Sequence, residues 1–406
     1  MADTTSDDEI LDGLRAFLER EVVPRHEANN DLFADGRSTY VDGGRYDDRV
    51  VALLREVRMA SAAAGYYTMF VPEALGGAGL TGTLLYDVWE LIFRTCGAHH
   101  WLGHHAVAHW ARGPSPALAL ATAEMRESVL PRLLAGEWSM CFAMSEPDAG
   151  TDLWMMKTTA EPDGDGWRIS GVKQWITNGP YADVALVFAV TDAELLKRRK
   201  GGISAFLVPT STPGFVTANV IRMFGKSGGD EAVFHMDNVR VEPHQLVGEL
   251  HRGLAVGQTG IGIGRIFNAA KGVGLGRWAL AHAVEHVRHR VTFGQPVSER
   301  QGVMFPIAES TMELHAARLT ARDAASHAST RGLNTPEVAM AKAYATEAGL
   351  RAAERAMQAH GASGLTNEVK LVYVWQELRK GLVADGSAEL MRRNLGRWIL
   401  NGDVTL

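Results

Sequence analysis

The chain has 406 residues, 46% apolar and 22% charged, and a formal net charge of −6 at neutral pH. That length exceeds what one hydrophobic core organises, so two or three packed domains are expected. The acidic balance gives no electrostatic reason to bind nucleic acid or an anionic membrane, and only two cysteines, Cys96 and Cys141, exclude a disulfide framework.

The opening Met1-Ala2-Asp3-Thr4-Thr5-Ser6-Asp7-Asp8 is acidic and polar, unlike a secretory or mitochondrial leader, so a cytoplasmic protein is expected. No apolar run is long enough to span a bilayer. Ile10, Leu11, Leu14, Phe17 and Leu18 recur at helical spacing behind Ser6, a capping residue type. Val50, Val51, Leu53, Leu54 and Val57 form a second amphipathic stretch. Residues 70–79 read as a loop, and helical patterning resumes over 84–134. His99, His100, His104, His105 and His109 include pairs at the i, i+4 spacing of metal ligands on a helix. No carboxylate motif accompanies them, so packing is expected and no metal.

From Met140 to about Val247 short β-branched and aromatic runs alternate with Gly, Pro, Asp and Asn, the pattern of an all-β domain. Lys197-Arg198-Arg199-Lys200 within it reads as a solvated loop. After Gly253 the pattern is helical to the end, with long helices expected at 265–290, 301–331, 336–360 and from about 386, as in a bundle. The expected domains are 1–138, 139–247 and 248–406.

Cys141-Phe142-Ala143-Met144-Ser145-Glu146-Pro147-Asp148-Ala149-Gly150-Thr151-Asp152 runs from an extended apolar stretch into a turn of hydroxyls, carboxylates and a Gly. Such a turn offers backbone N–H groups to a polar ligand edge. Gly171-Val172-Lys173-Gln174-Trp175-Ile176-Thr177-Asn178-Gly179 follows, and Arg290-Val291-Thr292-Phe293-Gly294-Gln295-Pro296 comes much later. These three blocks, in that order, resemble the acyl-CoA dehydrogenase flavoproteins, and the resemblance covers nearly the whole chain. It implies an α+β fold: an N-terminal α-helical domain, a central β-domain and a C-terminal four-helix bundle, with FAD gripped between the last two.

By this resemblance Phe142, Met144 and Ser145 lie at the flavin ring, Thr151 ends that turn, Trp175 packs on the ring and Thr177 stands near its reactive edge. In isolation Trp175 reads as a core residue and Thr177 as a strand hydroxyl; the intact block after Ser145-Glu146-Pro147 favours the flavin. Arg290, Phe293 and Gln301 match residues that reach a neighbouring subunit's FAD, and the planar fork of Arg suits a pyrophosphate. Gln358-Ala359-His360-Gly361-Ala362-Ser363-Gly364 resembles a Gln-x-x-Gly-Gly-x-Gly motif against the adenosine half, which places Gln358, Gly361 and Ala362 there; Ala362 replaces a Gly. A homodimer or homotetramer is therefore implied.

The family's usual Tyr-Glu-Gly-Thr, with Glu as base, aligns with Ala384-Asp385-Gly386-Ser387. Asp385 is the only aligned carboxylate, because the alternative base position falls on Gly264. The chemistry implied is α,β-dehydrogenation of an acyl thioester: the carboxylate removes the α-proton while the β-hydrogen leaves as hydride to flavin N5. The base residue's backbone N–H and a flavin ribityl hydroxyl polarise the thioester carbonyl. Asp385 also has the residue type of a cap for the helix that follows. Ser387 and Glu389 match residues at the FAD. Thr151, Arg265 and Ala384 are placed on the substrate, Arg265 near the pantetheine chain. Gly262 stands where the family has Asp and Gln376-Glu377 where it has Arg-Asp; Gly262 and Gly264 read as leaving space. The expected partners are an acyl-CoA substrate and an electron-transfer flavoprotein, with no nucleic acid and no membrane. A nitroalkane-oxidase-like enzyme and a dehydrogenase of carrier-protein thioesters remain alternatives; a DNA-associated alkylation-response flavoprotein is disfavoured by the acidic charge.

Overall fold

The computed structural model describes residues 6–404. In chain order the helices are α1 Asp7–Phe17, α2 Val23–Ala28, α3 Asn30–Phe33, α4 Asp48–Ala63, α5 Thr83–Cys96, α6 Ala123–Leu134, α7 Ala193–Lys197, α8 Gly253–His289, α9 Gln301–Ser326, α10 Ala328–Arg331, α11 Pro336–His360, α12 Leu371–Gly381 and α13 Ala388–Leu400. The main strands are β1 Met140–Ala143, β2 Thr159–Asp163, β3 Gly166–Thr177, β4 Val184–Val190, β5 Ile203–Pro209, β6 Phe215–Val220, β7 Glu231–Val241 and β8 Leu246–Val247. They cluster in two compact units.

One unit comprises Asn29–Gly79 and His105–Ile261. Its sheet has the order β6-β7-β3-β2-β4-β5-β8, with β1 running parallel to β4. The all-apolar run of β4 is buried at every position because both faces are covered. On one face Leu186, Phe188, Ile203 and Leu207 pack with Met125, Val129 and Leu133 of α6. On the other, Ala185, Val187, Phe206, Val208 and Phe234 form a second core. The β3–β7 pairing shifts register between Lys173 and Ile176, and this bulge turns Trp175 out of the ladder.

The other unit comprises the helices before Asn29, Leu80–His104 and the chain from Gly262 onward. At α1 the Ser6 hydroxyl accepts from the Glu9 N–H and the Glu9 carboxylate from the Ser6 N–H, a reciprocal cap. The helices expected at 265–290, 301–331, 336–360 and from 386 are present, with α12 beside them. α8 begins earlier than its apolar pattern suggests. Its glycine-rich start, which belongs to the sheet unit as far as Ile261, is a poor helix former, but the missing side chains admit close neighbours within that unit: a Cβ on Gly257 would sit 2.5 Å from the Met144 side chain. The 301–331 stretch breaks at His327, so α9 ends at Ser326.

The 84–134 region is interrupted. Gly97 ends α5 with φ 50°, and 3₁₀ turns form at Trp101–His105 and Pro116–Leu120 before α6. The histidines of this stretch therefore do not share one α-helical face.

Candidate active site

Asp385 lies in the turn between α12 and α13 with φ 53°, a left-handed conformation that Asp tolerates better than most residues, and Gly386 follows at φ 95°. The N-cap of α13 is Ser387, whose hydroxyl accepts from the Leu390 N–H at 3.2 Å, so Ser387 and not Asp385 caps the helix. The carboxylate is thereby left for other work. Asn268 Nδ2 of α8 donates to Asp385 Oδ2 at 2.7 Å. Arg265 Nε donates to the Asp385 carbonyl at 3.3 Å, and its Nη1 to Asn334 Oδ1 at 3.0 Å. Lys342 of α11, fully buried, clamps the turn from below: its Nζ donates to the Leu382 carbonyl at 3.1 Å and the Gly386 carbonyl at 2.6 Å.

Burial pushes the Asp385 carboxyl up to about 6, against the pull of Lys342, Lys271, Arg265 and the Asn268 hydrogen bond. Burial likewise lowers the Lys342 ammonium to about 8, with Asp385 opposing. A carboxylate poised near neutrality is suited to taking a proton from a weak carbon acid.

Arg265 thus braces the Asp385 turn. Ala384 beside it is exposed. The space expected at Gly262 is filled: a Cβ there would lie 2.5 Å from Leu333 Cβ, so the lost carboxylate is replaced by a loop rather than by room. Gln376 is buried, and its Oε1 has no hydrogen-bond partner among the described residues. Asn268, Lys271 and Lys342 escaped the sequence reading. The available signal was Arg265, Asn268 and Lys271 at i, i+3 and i+6 in the otherwise apolar and glycine-rich stretch 260–276, which puts three polar groups on one face.

In the sheet unit, β1 leads into the turn that carries Met144 and Ser145. A buried ion pair anchors that turn to β3: Lys173 Nζ lies 2.9 Å from Glu146 Oε1 and donates to the Met144 carbonyl at 3.1 Å. Glu146 also accepts from the Lys157 and Thr158 N–H groups. The sequence signal for this pair was a Lys at a buried phase of a strand. The Gln174 N–H donates to the Ser145 carbonyl at 3.0 Å, which ties the turn to the residue before Trp175. Trp175 has φ 65° and is 52% exposed, so it is not a core residue. Thr177 pairs with Glu231 on β7. Phe142 packs against Trp110 and Phe188, each at 4.8 Å between ring centres. Met144 is buried and Thr151 exposed.

These residues fit a planar aromatic group: the bulge presents a bare indole face beside a polar turn that is rigidly held. The remaining expected cofactor residues point outward. Arg290, Gln301, Gln358, Ala362 and Glu389 are exposed, and Phe293 is 96% exposed at φ 51°. Gly361 has φ 62° with no atom within 4 Å of an added Cβ, leaving its backbone open to a ligand.

His99 stacks on His282 at 5.6 Å, and His26 meets His100 edge-on at 5.5 Å. Burial pushes His26 down to about 3 and His99 to about 4. Among the described residues no group of three or more His, Cys, Asp or Glu is placed to hold a metal ion, and no helix is long and apolar enough to cross a membrane. Cys96 and Cys141 are buried free thiols. Lys197, Arg198, Arg199 and Lys200 are exposed, with Arg199 paired to Asp152 at 3.2 Å.

A helical region, a β-region and a helical region follow one another, with the half-buried Asp385 carboxylate on the last and the exposed Trp175 indole on the sheet, the arrangement expected of a flavoprotein oxidoreductase. Three family models match in the same order: acyl-CoA dehydrogenase N-terminal domain over residues 4–137, middle domain over 141–239 and C-terminal domain over 251–400. The chain is 31% identical to an acyl-CoA dehydrogenase of Bacillus subtilis, over 82% of this chain and 86% of that one. It is 32% identical to the human mitochondrial short-chain specific acyl-CoA dehydrogenase, over 81% and 78%. A solved structure of a putative acyl-CoA dehydrogenase from Mycobacterium abscessus superposes with a TM-score of 0.86 at 26% identity, covering 100% of both chains. The chain belongs to the acyl-CoA dehydrogenase family. It is an oxidoreductase, and its family is FAD-dependent.

Proposed function

We propose that this protein dehydrogenates an acyl-CoA thioester at its α,β-bond, with Asp385 as the base that removes the α-proton. The observation that carries the reading is the state of Asp385: free of the helix cap, held by Asn268 at 2.7 Å, and raised by burial to about 6. Asp is one methylene shorter than Glu, and its left-handed turn is fastened at three carbonyls, those of Leu382, Asp385 and Gly386. A fixed turn lets a short side chain be aimed, which a mobile one would not.

FAD, when bound, supplies the hydride acceptor. Phe142, Met144, Ser145, Thr151, Trp175, Thr177, Ser387 and Glu389 are the residues that match those holding FAD in the family. The outward-facing Arg290, Phe293, Gln301, Gln358, Gly361 and Ala362 suit a site completed by a second copy of the chain, in a dimer or tetramer. The Thr151 hydroxyl, Arg265 and Ala384 are assigned to the thioester. The domain limits 1–138, 139–247 and 248–406, an electron-transfer flavoprotein as acceptor and a cytoplasmic setting complete the proposal.

Anaerobic titration of the purified yellow protein with short, branched, cyclic and long acyl-CoAs tests this. Bleaching of the visible flavin band by one class is the expected outcome. A persistent band with every thioester, together with hydrogen peroxide formed from a nitroalkane, would replace the reading with an oxidase.

A further inference from the structure

Asn268 is 1% exposed and lies on α8 among apolar neighbours. A polar amide in such a place costs stability unless it is hydrogen-bonded. Its Nδ2 is used twice, donating to the Gly264 carbonyl one turn back at 2.9 Å and to Asp385 Oδ2 at 2.7 Å. Its Oδ1 has no partner among the described residues. This arrangement settles the amide's orientation. Turned over, Oδ1 would face the Gly264 carbonyl and the carboxylate, three acceptors with no proton between them. The backbone carbonyl therefore fixes Asn268 as a donor toward Asp385.

We propose that Asn268 is the positioning residue of the base, an amide locked by the Gly264 carbonyl so that it aims Asp385 and favours its ionised form. This rests on the reading of Asp385 as base. A donor stabilises a carboxylate more than a neutral acid, so Asn268 opposes the burial that would otherwise hold the proton on Asp385. The same bond favours release of the captured proton after each turnover. The other groups facing Asp385 are Arg265 and Lys271 from α8 and Lys342 from α11. Glu389 of α13 acts on Lys342, and α12 contributes Gly381, which has no side chain. The charged groups stay in place when only Asn268 is changed.

Infrared difference titration of the FAD-loaded enzyme, each protein measured against its own Asp385→Asn partner, isolates the carboxyl C=O band of Asp385. In Asn268→Leu the midpoint of that band is expected to rise by about one to two pH units. Asn268→Ser keeps a bond to the Gly264 carbonyl through its hydroxyl but is too short to reach Asp385, so it should shift the midpoint the same way. It also serves if the Leu variant does not fold. With the acyl-CoA that bleaches the wild type, the acid limb of the bleaching rate should move by the same amount. An unshifted band in the variants, or a limb that stays put while the band moves, overturns the proposal. The band needs no substrate, so failure of the base assignment shows separately, as bleaching that survives in Asp385→Asn.

Discussion

Asp385 combines three conditions that rarely meet in one carboxylate: a left-handed backbone, a half-buried, poorly solvated setting and cations on two helices. Burial and the cations pull in opposite directions, and burial wins, leaving the group near 6 instead of its usual 3.8. The base must be ionised to accept a proton, so activity is full above that value and falls as pH drops through it. In the free enzyme kcat/KM should fall about tenfold per pH unit below pH 6. A limb near pH 4 would show an Asp385 with an ordinary pKa. The linkage to stability runs the other way: a carboxyl with a raised folded pKa contributes stability below its unfolded value, and that contribution is lost as pH rises toward 6. The ionised Asp385 carboxylate is thus unfavourable for the fold at neutral pH.

At the scale of elements, α8 is the organising piece of the helical unit. Its polar stripe of Arg265, Asn268 and Lys271 faces the Asp385 turn. Close packing brings it to α11, where a Cβ on Gly272 would meet the Ala345 carbonyl at 2.5 Å. Further along, Arg277 of α8 and Arg318 of α9 both reach Glu90 of α5, at 2.5 and 2.8 Å, with Glu90 only 4% exposed. Asp87, one turn earlier, pairs with Arg322 at 3.0 Å. Glu90 of α5 is the shared counter-charge of α8 and α9. Removing it takes the partner of Arg277 and leaves Arg318 only the longer contact to Asp87, and both guanidinium groups are partly exposed, so Glu90→Ala should cost about 1–3 kcal/mol. Thermal or denaturant unfolding measures this, and a loss under about 1 kcal/mol would mean that solvent already screens the network.

Across the whole molecule, the order of helical, β and helical regions was legible because each leaves a period in the sequence: 3.6 in α1 and α11, turn-punctuated runs in β3 to β7. The glycine-rich start of α8 and the interruption after Cys96 were not, because contacts with distant residues decide them. Asp385 and Trp175 were legible through the motifs around them. Asn268, Lys271 and Lys342 were not, since each lies on another helix, Asn268 more than a hundred positions from Asp385, and its spacing shows a polar face but not what that face meets. Arg290 and Phe293 match residues that reach a neighbouring subunit's FAD, and the structure shows both exposed. Proton transfer at Asp385 is decided by anaerobic titration of wild type and Asp385→Asn side by side, both loaded with FAD, using the acyl-CoA that bleaches the wild type. The variant should stay an intact yellow protein that binds the thioester and bleaches at least about 100-fold more slowly. Bleaching at the wild-type rate in Asp385→Asn would contradict the assignment of Asp385 as base.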